Sequence, residues 1–219
     1  MLKIWGRPTS TCTMKVLWTC EEAGLPFQLI LASATMGPQG HISRGPPYGV
    51  VDTPTYRAMN PNGTVPTIDE DGFILWESNT IVRYLARRHA PFLYGNDERT
   101  FALASQWMDW ETQLVPFLHT LVMEMVRLPP EGRTPESVNA ALRGMEPLLQ
   151  ILENTLGKQT FLAGPAFSTA DICLGANLAR WFIFDLQRPG TPNLEAWMGK
   201  LRQRPAYQTH IADPSLHLA

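Results

Sequence analysis

The chain has little of what would mark a membrane, secreted or nucleic-acid-binding protein. No apolar run is long enough to span a bilayer, and the first residues, MLKIWGRPTS, lack the apolar core of a signal peptide. Cysteine is scarce: Cys12, Cys20 and Cys173 are the three present, and no pair forms C-x-x-C. An odd count at wide spacing argues against a disulfide framework, a zinc site or a dithiol redox motif, and points to a reducing compartment. A cytoplasmic protein with no metal and no membrane partner is therefore expected. Net charge is only −2, so no general affinity for nucleic acid is expected either. Internal repeats and low-complexity tracts are missing. What remains is a globular composition, 44% hydrophobic and 17% charged over 219 residues, enough for one or two domains with cores of their own.

Composition shifts near residue 90. Before it, Leu2 to Trp5 reads as a strand punctuated by Gly6-Arg7-Pro8, and about Cys12 to Ala23 as a helix stopped by Gly24 and Pro26. Phe27 to Leu31 reads as a second strand, completing a parallel crossover unit. Residues 33–51, rich in Gly and Pro, read as a long loop. Thr53-Pro54 opens a short helix to about Met59. Val65 to Ile68 and Phe73 to Leu75 flank Glu70-Asp71-Gly72 as a hairpin, and Ser78 to Arg88 follows as a helix. The order β-α-β-α-β-β-α predicts an α/β domain over 1–88. A linker spans 89–97, and an all-α domain covers 98–219. Its first helix carries Trp107, Trp110, Leu114, Phe117, Leu118 and Leu121 on one stripe, with Pro116 expected to bend it. Further helices are expected from Pro135 to Leu156, kinked or divided at Pro147, from Ser168, and from about Pro192 to Arg204. Ser168 and Asp171 form a capping box, with Phe167 placed to staple onto Ile172, before a helix apolar nearly all round.

Three short segments carry chemistry. In Asn60-Pro61-Asn62-Gly63-Thr64-Val65-Pro66, the proline stands at a strand entrance, where a missing ladder donor is tolerated. A cis Val65–Pro66 bond would turn the chain and leave the Val65 N–H and C=O outward, able to pair with an extended peptide; an ordinary loop proline is the alternative. At Trp76-Glu77-Ser78-Asn79, a helix start favours a carboxylate and Glu77 can accept from an ammonium group, unless Ser78 is only an N-cap. At Thr9-Ser10-Thr11-Cys12, a thiol would meet hydroxyl donors and a helix N-terminus. Lowering a thiol pKa by about two units takes roughly 2.7 kcal/mol. Helix capping by Ser10 or Thr11 is the plainer reading. Trp107, Trp110 and Phe117, with Met123, Trp181 and Phe184, offer an apolar wall for a ligand, or simply core. His119 reads as structural.

Taken together, GRPTSTCTMKVLW, NPNGTVPTIDEDGFILWESNTIVRYLA and FLAGPAFSTADI resemble the cytosolic glutathione transferases, especially bacterial and theta-like ones. The resemblance implies a thioredoxin-like N-terminal domain, a helical C-terminal domain and a homodimer. Glutathione would be a co-substrate, with no bound cofactor, and a small apolar electrophile its partner. Val65 would pair with the cysteinyl backbone, with Pro66 cis, and Glu77 and Ser78 would hold the γ-glutamyl end; Thr64 and Asn79 beside them are further substrate-binding candidates. Ser10 takes the sulfur-activating place; Cys12 is its rival, and would favour thiol transfer or peroxide reduction. Thr9 and Thr11 are lesser candidates. A histidine found in several theta-like relatives is replaced by Gly63, so His41 or Arg44 in the long loop is a candidate for the glycyl contact. A non-catalytic ligand-binding or assembly role is the remaining alternative.

Overall fold

The structure, a computed structural model, describes residues 1–33, 50–95 and 97–217. Strands β1 (Leu2–Gly6) and β2 (Phe27–Leu31) pair in parallel across helix α1 (Thr11–Glu22). The hairpin of β3 (Thr67–Glu70) and β4 (Phe73–Trp76) joins the other edge of β1 antiparallel, giving the order β2-β1-β3-β4. Helices α2 (Pro54–Met59) and α3 (Ser78–His89) complete this α/β unit. The helical unit holds α4 (Glu98–Trp110), α5 (Val115–Val122), α6 (Pro135–Leu156), α7 (Thr169–Ile183), α8 (Pro192–Arg202) and α9 (Pro205–His210). Among the described residues no helix is long and apolar enough to cross a membrane.

Several boundaries differ from expectation for physical reasons. β3 starts at Thr67 and not at Val65, because Pro66 has no N–H to give the ladder. The long helix breaks at a 3-10 turn, Glu111–Gln113, before the proline is reached. Pro116 then sits in the first turn of α5, where a missing N–H costs nothing. Helix α6 runs through Pro147 undivided. Pro205 closes α8 and opens α9, so the tail from Tyr207 begins as helix.

Helix α7 is the axis of the helical unit, buried at every position from Thr169 to Trp181. It passes close to α1 at Gly175, where a Cβ would lie 2.6 Å from Leu201 and 3.2 Å from Trp18. The capping box forms as expected: Asp171 accepts from the Ser168 N–H and hydroxyl, both at 2.9 Å. The same carboxylate also accepts from the Leu162 N–H at 3.0 Å and the Trp197 indole at 2.8 Å. Phe167 packs toward Trp18, at 6.0 Å, with the Arg204 guanidinium 3.6 Å from its ring. Arg204 in turn clasps Glu22 of α1 with two bonds of 2.6 Å.

The two units share their interiors. Met14 and Trp18 of α1 belong to the helical core, while Met108 and Cys173 join Ile4, Ile68, Ile81 and Leu85 under the sheet. At the seam, Lys15 pairs with Glu111 at 2.5 Å, their side chains 4% and 1% exposed. Asn79 accepts from Lys15 at 3.1 Å and donates to Glu111 at 3.1 Å and to the Met108 carbonyl at 2.6 Å. Asn177 donates to the other Glu111 oxygen. Burial pushes Lys15 toward neutrality, but the adjoining Glu111 charge more than reverses this and holds its pKa above the ordinary value.

Asp171→Ala should leave buried donors from Leu162, Ser168 and Trp197 unpaired. At roughly 1–3 kcal/mol for each such group, a loss exceeding about 3 kcal/mol is expected, read as a lowered denaturation midpoint at unchanged slope.

Candidate functional site: a cleft between the two units

A cleft of about 370 Å³ lies between the β1–α1 turn, the Thr64–Val65 segment and the helical unit. Arg7, Ser10, Thr11, Cys12, Ser33, Thr64 and Val65 line it from the α/β side. The facing wall is Val115, Leu118, His119 and Val122 of α5, Arg127, and Asn177 and Arg180 of α7.

Ser10 is the N-cap of α1. Its Oγ accepts from the Thr13 N–H at 3.4 Å, which leaves its own proton available to donate. Cys12 follows in the first turn, partly exposed to the cleft. The other thiols are inert by burial, which pushes Cys20 up to about 12 and Cys173 higher still. Thr11 also lines the cleft, whereas Thr9 offers its carbonyl to Arg180 at 2.7 Å.

The Val65–Pro66 peptide bond is cis. The Val65 N–H and C=O have no hydrogen-bond partner among the described residues. The preceding carbonyl is clamped: Thr64 C=O accepts from the Tyr56 hydroxyl at 2.7 Å and from Asn60 at 2.9 Å. Both donors also bond the Thr67 hydroxyl, at 2.8 and 3.1 Å. Gly63 adopts a left-handed φ of 62°, and a Cβ there would stand 3.1 Å from the Arg57 guanidinium, so this turn accepts glycine and no larger residue without strain.

At the β4–α3 junction, Glu77 and not Ser78 is the N-cap, with φ 73° and no side-chain cap bond. Its carboxylate is left exposed, and Ser78 starts the helix. Neither lines the cleft described above. Asn79 faces the other way, spent on the Lys15–Glu111 seam. His41 and Arg44 lie outside the described residues.

The helical wall departs from the sequence expectation. Trp107 is buried in the helical core with Trp181 and Phe184, while Trp110 and Phe117 pack against it; none of them lines the cleft. The neighbouring face of α5 is used instead, which brings His119 to the cleft and not into a structural role. Arg180 is 8% exposed, and its Nε has no partner among the described residues. Burial, then the Arg127 and Arg7 charges, brings its guanidinium down to about 10. Burial also lowers Arg127. Arg180 had a sequence signal, a lone cation in an otherwise apolar helix; Arg7 and Arg127 had none. Among the described residues no group of three or more His, Cys, Asp or Glu side chains could hold a metal ion.

Residues 9–88 match the family of the glutathione S-transferase N-terminal domain, and residues 114–205 that of the C-terminal domain. The chain is 35% identical to glutathione S-transferase GstB of Escherichia coli K12, over 98% of this chain and 99% of that protein. The chain belongs to the glutathione S-transferase family. Within the family, its fold superposes on a theta class enzyme of Xanthomonas axonopodis pv. citri, solved with glutathione bound, at TM-score 0.87 and 39% identity over 97% of both chains. Transferase F2 of Populus trichocarpa follows at TM-score 0.82 and 26% identity, over 96% of this chain and 97% of that one. The thioredoxin-like and helical halves are thus the family's two halves, and the cleft lies between them.

His217 links the chain's end to this wall. Its Nε2 donates to the Ile211 carbonyl at 2.7 Å, which fixes the neutral tautomer. Burial first, and the nearby Arg180 charge as well, brings its pKa to about 4. The unfolded chain, with His near 6.5, then binds the extra proton between about pH 6.5 and 4. Stability from this group should be full above pH 6.5 and fall by about 1.4 kcal/mol per unit as pH drops through that window. In His217→Gln this part of the slope should vanish, measured by denaturant unfolding at a series of pH values.

Proposed function

We propose that the cleft binds glutathione in extended form and that Ser10 donates a hydrogen bond to its sulfur, so that the thiolate attacks an electrophilic carbon of a second substrate. The observation carrying this reading is that an unpaired backbone rung at Val65 and a hydroxyl at the start of α1 face the same cleft. The Val65 N–H and C=O would pair with the cysteinyl residue as a short antiparallel ladder. The sulfur would then rest near the N-terminus of α1, where the backbone N–H groups favour negative charge. The first turn of α3 and the exposed Glu77 suit the carboxylate and ammonium of the γ-glutamyl end. Catalysis then consists of ionising the thiol and holding two reactants together.

Cys12 supports the second reading, thiol transfer through a mixed disulfide, because its sulfur lies on the same wall. A homodimer is the assembly proposed with either reading. Phe92 and Leu103, 57% and 45% exposed, are apolar surface of the kind a second copy would cover, and light scattering reports the state.

Ser10→Ala should lower kcat/KM for 1-chloro-2,4-dinitrobenzene by about 10- to 1,000-fold, the size of one lost donor to a developing or resident anion, while Cys12→Ala stays near wild type. The reverse pattern would transfer the role to Cys12. Glu77→Gly should relieve the left-handed φ without lowering stability, since no cap bond is lost, yet weaken retention on immobilised glutathione.

A further inference from the structure

Beyond its capping turn, helix α7 carries one charged side chain, Arg180. Keeping it there works against stability: the guanidinium is nearly buried, and its Nε meets no acceptor among the described residues. Its Nη2 donates to the Thr9 carbonyl at 2.7 Å, and Thr9 immediately precedes Ser10. The other backbone bonds of this turn are local. The Ser10 N–H donates to the Arg7 carbonyl at 3.1 Å, and the Ser10 carbonyl accepts from the Met14 N–H at 2.8 Å. The Thr9 carbonyl is tied instead to the helical half of the chain. Arg180 thus governs where the turn, and with it the Ser10 hydroxyl, stands in the cleft. Its charge also acts on Cys12 in the first turn of α1. The other charged or titratable groups around this space are Arg7, Arg127 and His119 in the cleft, and His217, which feels the Arg180 charge.

We propose that Arg180 is a positioning residue for conjugation: from the helical half it fixes the Thr9–Ser10 turn, so that the Ser10 hydroxyl and the start of α1 keep the glutathione sulfur ionised. The proposal rests on the conjugation reading above and deepens it by giving α7 a part in activating the thiol. The proton lost by the thiol passes to solvent, and Ser10 keeps its own. In this arrangement the glycyl carboxylate, at the far end of the peptide from α3, goes to Arg7 and Arg127. Both line the cleft and both have interactions within the protein, which five guanidinium donors allow them to keep. Arg180 is already engaged at the turn.

The test titrates the ultraviolet absorbance of the thiolate in the complex with glutathione, as the difference from the free protein, so that Cys12 is subtracted. The wild-type protein should lower the pKa of the bound thiol by about two. Arg180→Gln should raise it again by about one. Arg180→Lys should raise it by about half as much, since lysine keeps the charge but not the planar fork, and it serves should the glutamine variant fail to fold. Below both pKa values a rise of one cuts the thiolate about tenfold. There kcat/KM for 1-chloro-2,4-dinitrobenzene should fall about tenfold in Arg180→Gln, and the loss should close as pH passes both values. With γ-glutamylcysteine, which lacks the glycyl carboxylate, the rise should be the same. In a Ser10→Ala background Arg180→Gln should add little, because the two act as a unit. A lowered thiol pKa in the wild type that stays unchanged in the variant that folds overturns the role of Arg180 and leaves conjugation standing. A rise that disappears with γ-glutamylcysteine assigns Arg180 to the glycyl carboxylate and overturns the proposal as well. A wild-type protein that neither lowers the thiol pKa nor retains glutathione overturns the conjugation reading itself.

Discussion

Lys15 and Glu111 meet with almost no water around either, one from the helix that opens at the cleft and the other from the turn that breaks the helical unit's first long helix. Such a pair is expensive to desolvate, and attraction alone seldom makes good the cost. Here two amides complete it. Asn79 arrives from the α/β side and Asn177 from α7, so both carboxylate oxygens of Glu111 are satisfied. Buried polar groups that need one another at fixed geometry admit a single docking angle. Ser10 and Cys12 lie about one turn before Lys15 on α1, and Arg180 about one turn after Asn177 on α7. The knot therefore sets the width of the cleft as well as the fit of the two units.

The α/β half could be read from the chain because its signals are local. Gly24 and Pro26 end α1, Asp71-Gly72 turns the hairpin, and Pro66 delays the ladder by two residues. Val65, Ser10 and Glu77 could be picked out as candidates for the same reason, since each stands where an element begins or ends. Asn79 was misassigned because adjacency in sequence hides direction: two residues past Glu77 on a helix, it faces a different side.

The helical wall was harder, for two reasons. Periodicity tells which side of a helix is apolar, but not whether protein or ligand covers it. The 3-10 turn at Glu111–Gln113 also interrupts the long helix, so a stripe drawn from Trp107 through Phe117 crosses a break, and Leu118 and Val122 of α5 line the cleft where Phe117 does not. Tyr56 and Asn60, which hold the Thr64 carbonyl and so aim the Val65 rung, touch nothing in the cleft themselves. Their part is visible only once the chain is folded, because it depends on a loop closing back over α2.

The sharing of interiors by the two units has an evolutionary meaning. Met14 and Trp18 are built into the helical core, and Met108 and Cys173 into the core beneath the sheet. A recombination point in the connection between Ala90 and Glu98 would separate each of these side chains from the cavity it fills. Relatives can therefore trade helical halves only if the seam travels with them. Diversification of the acceptor side is channelled into point changes on α5 and α7, where wall residues can alter without opening a hole in either interior.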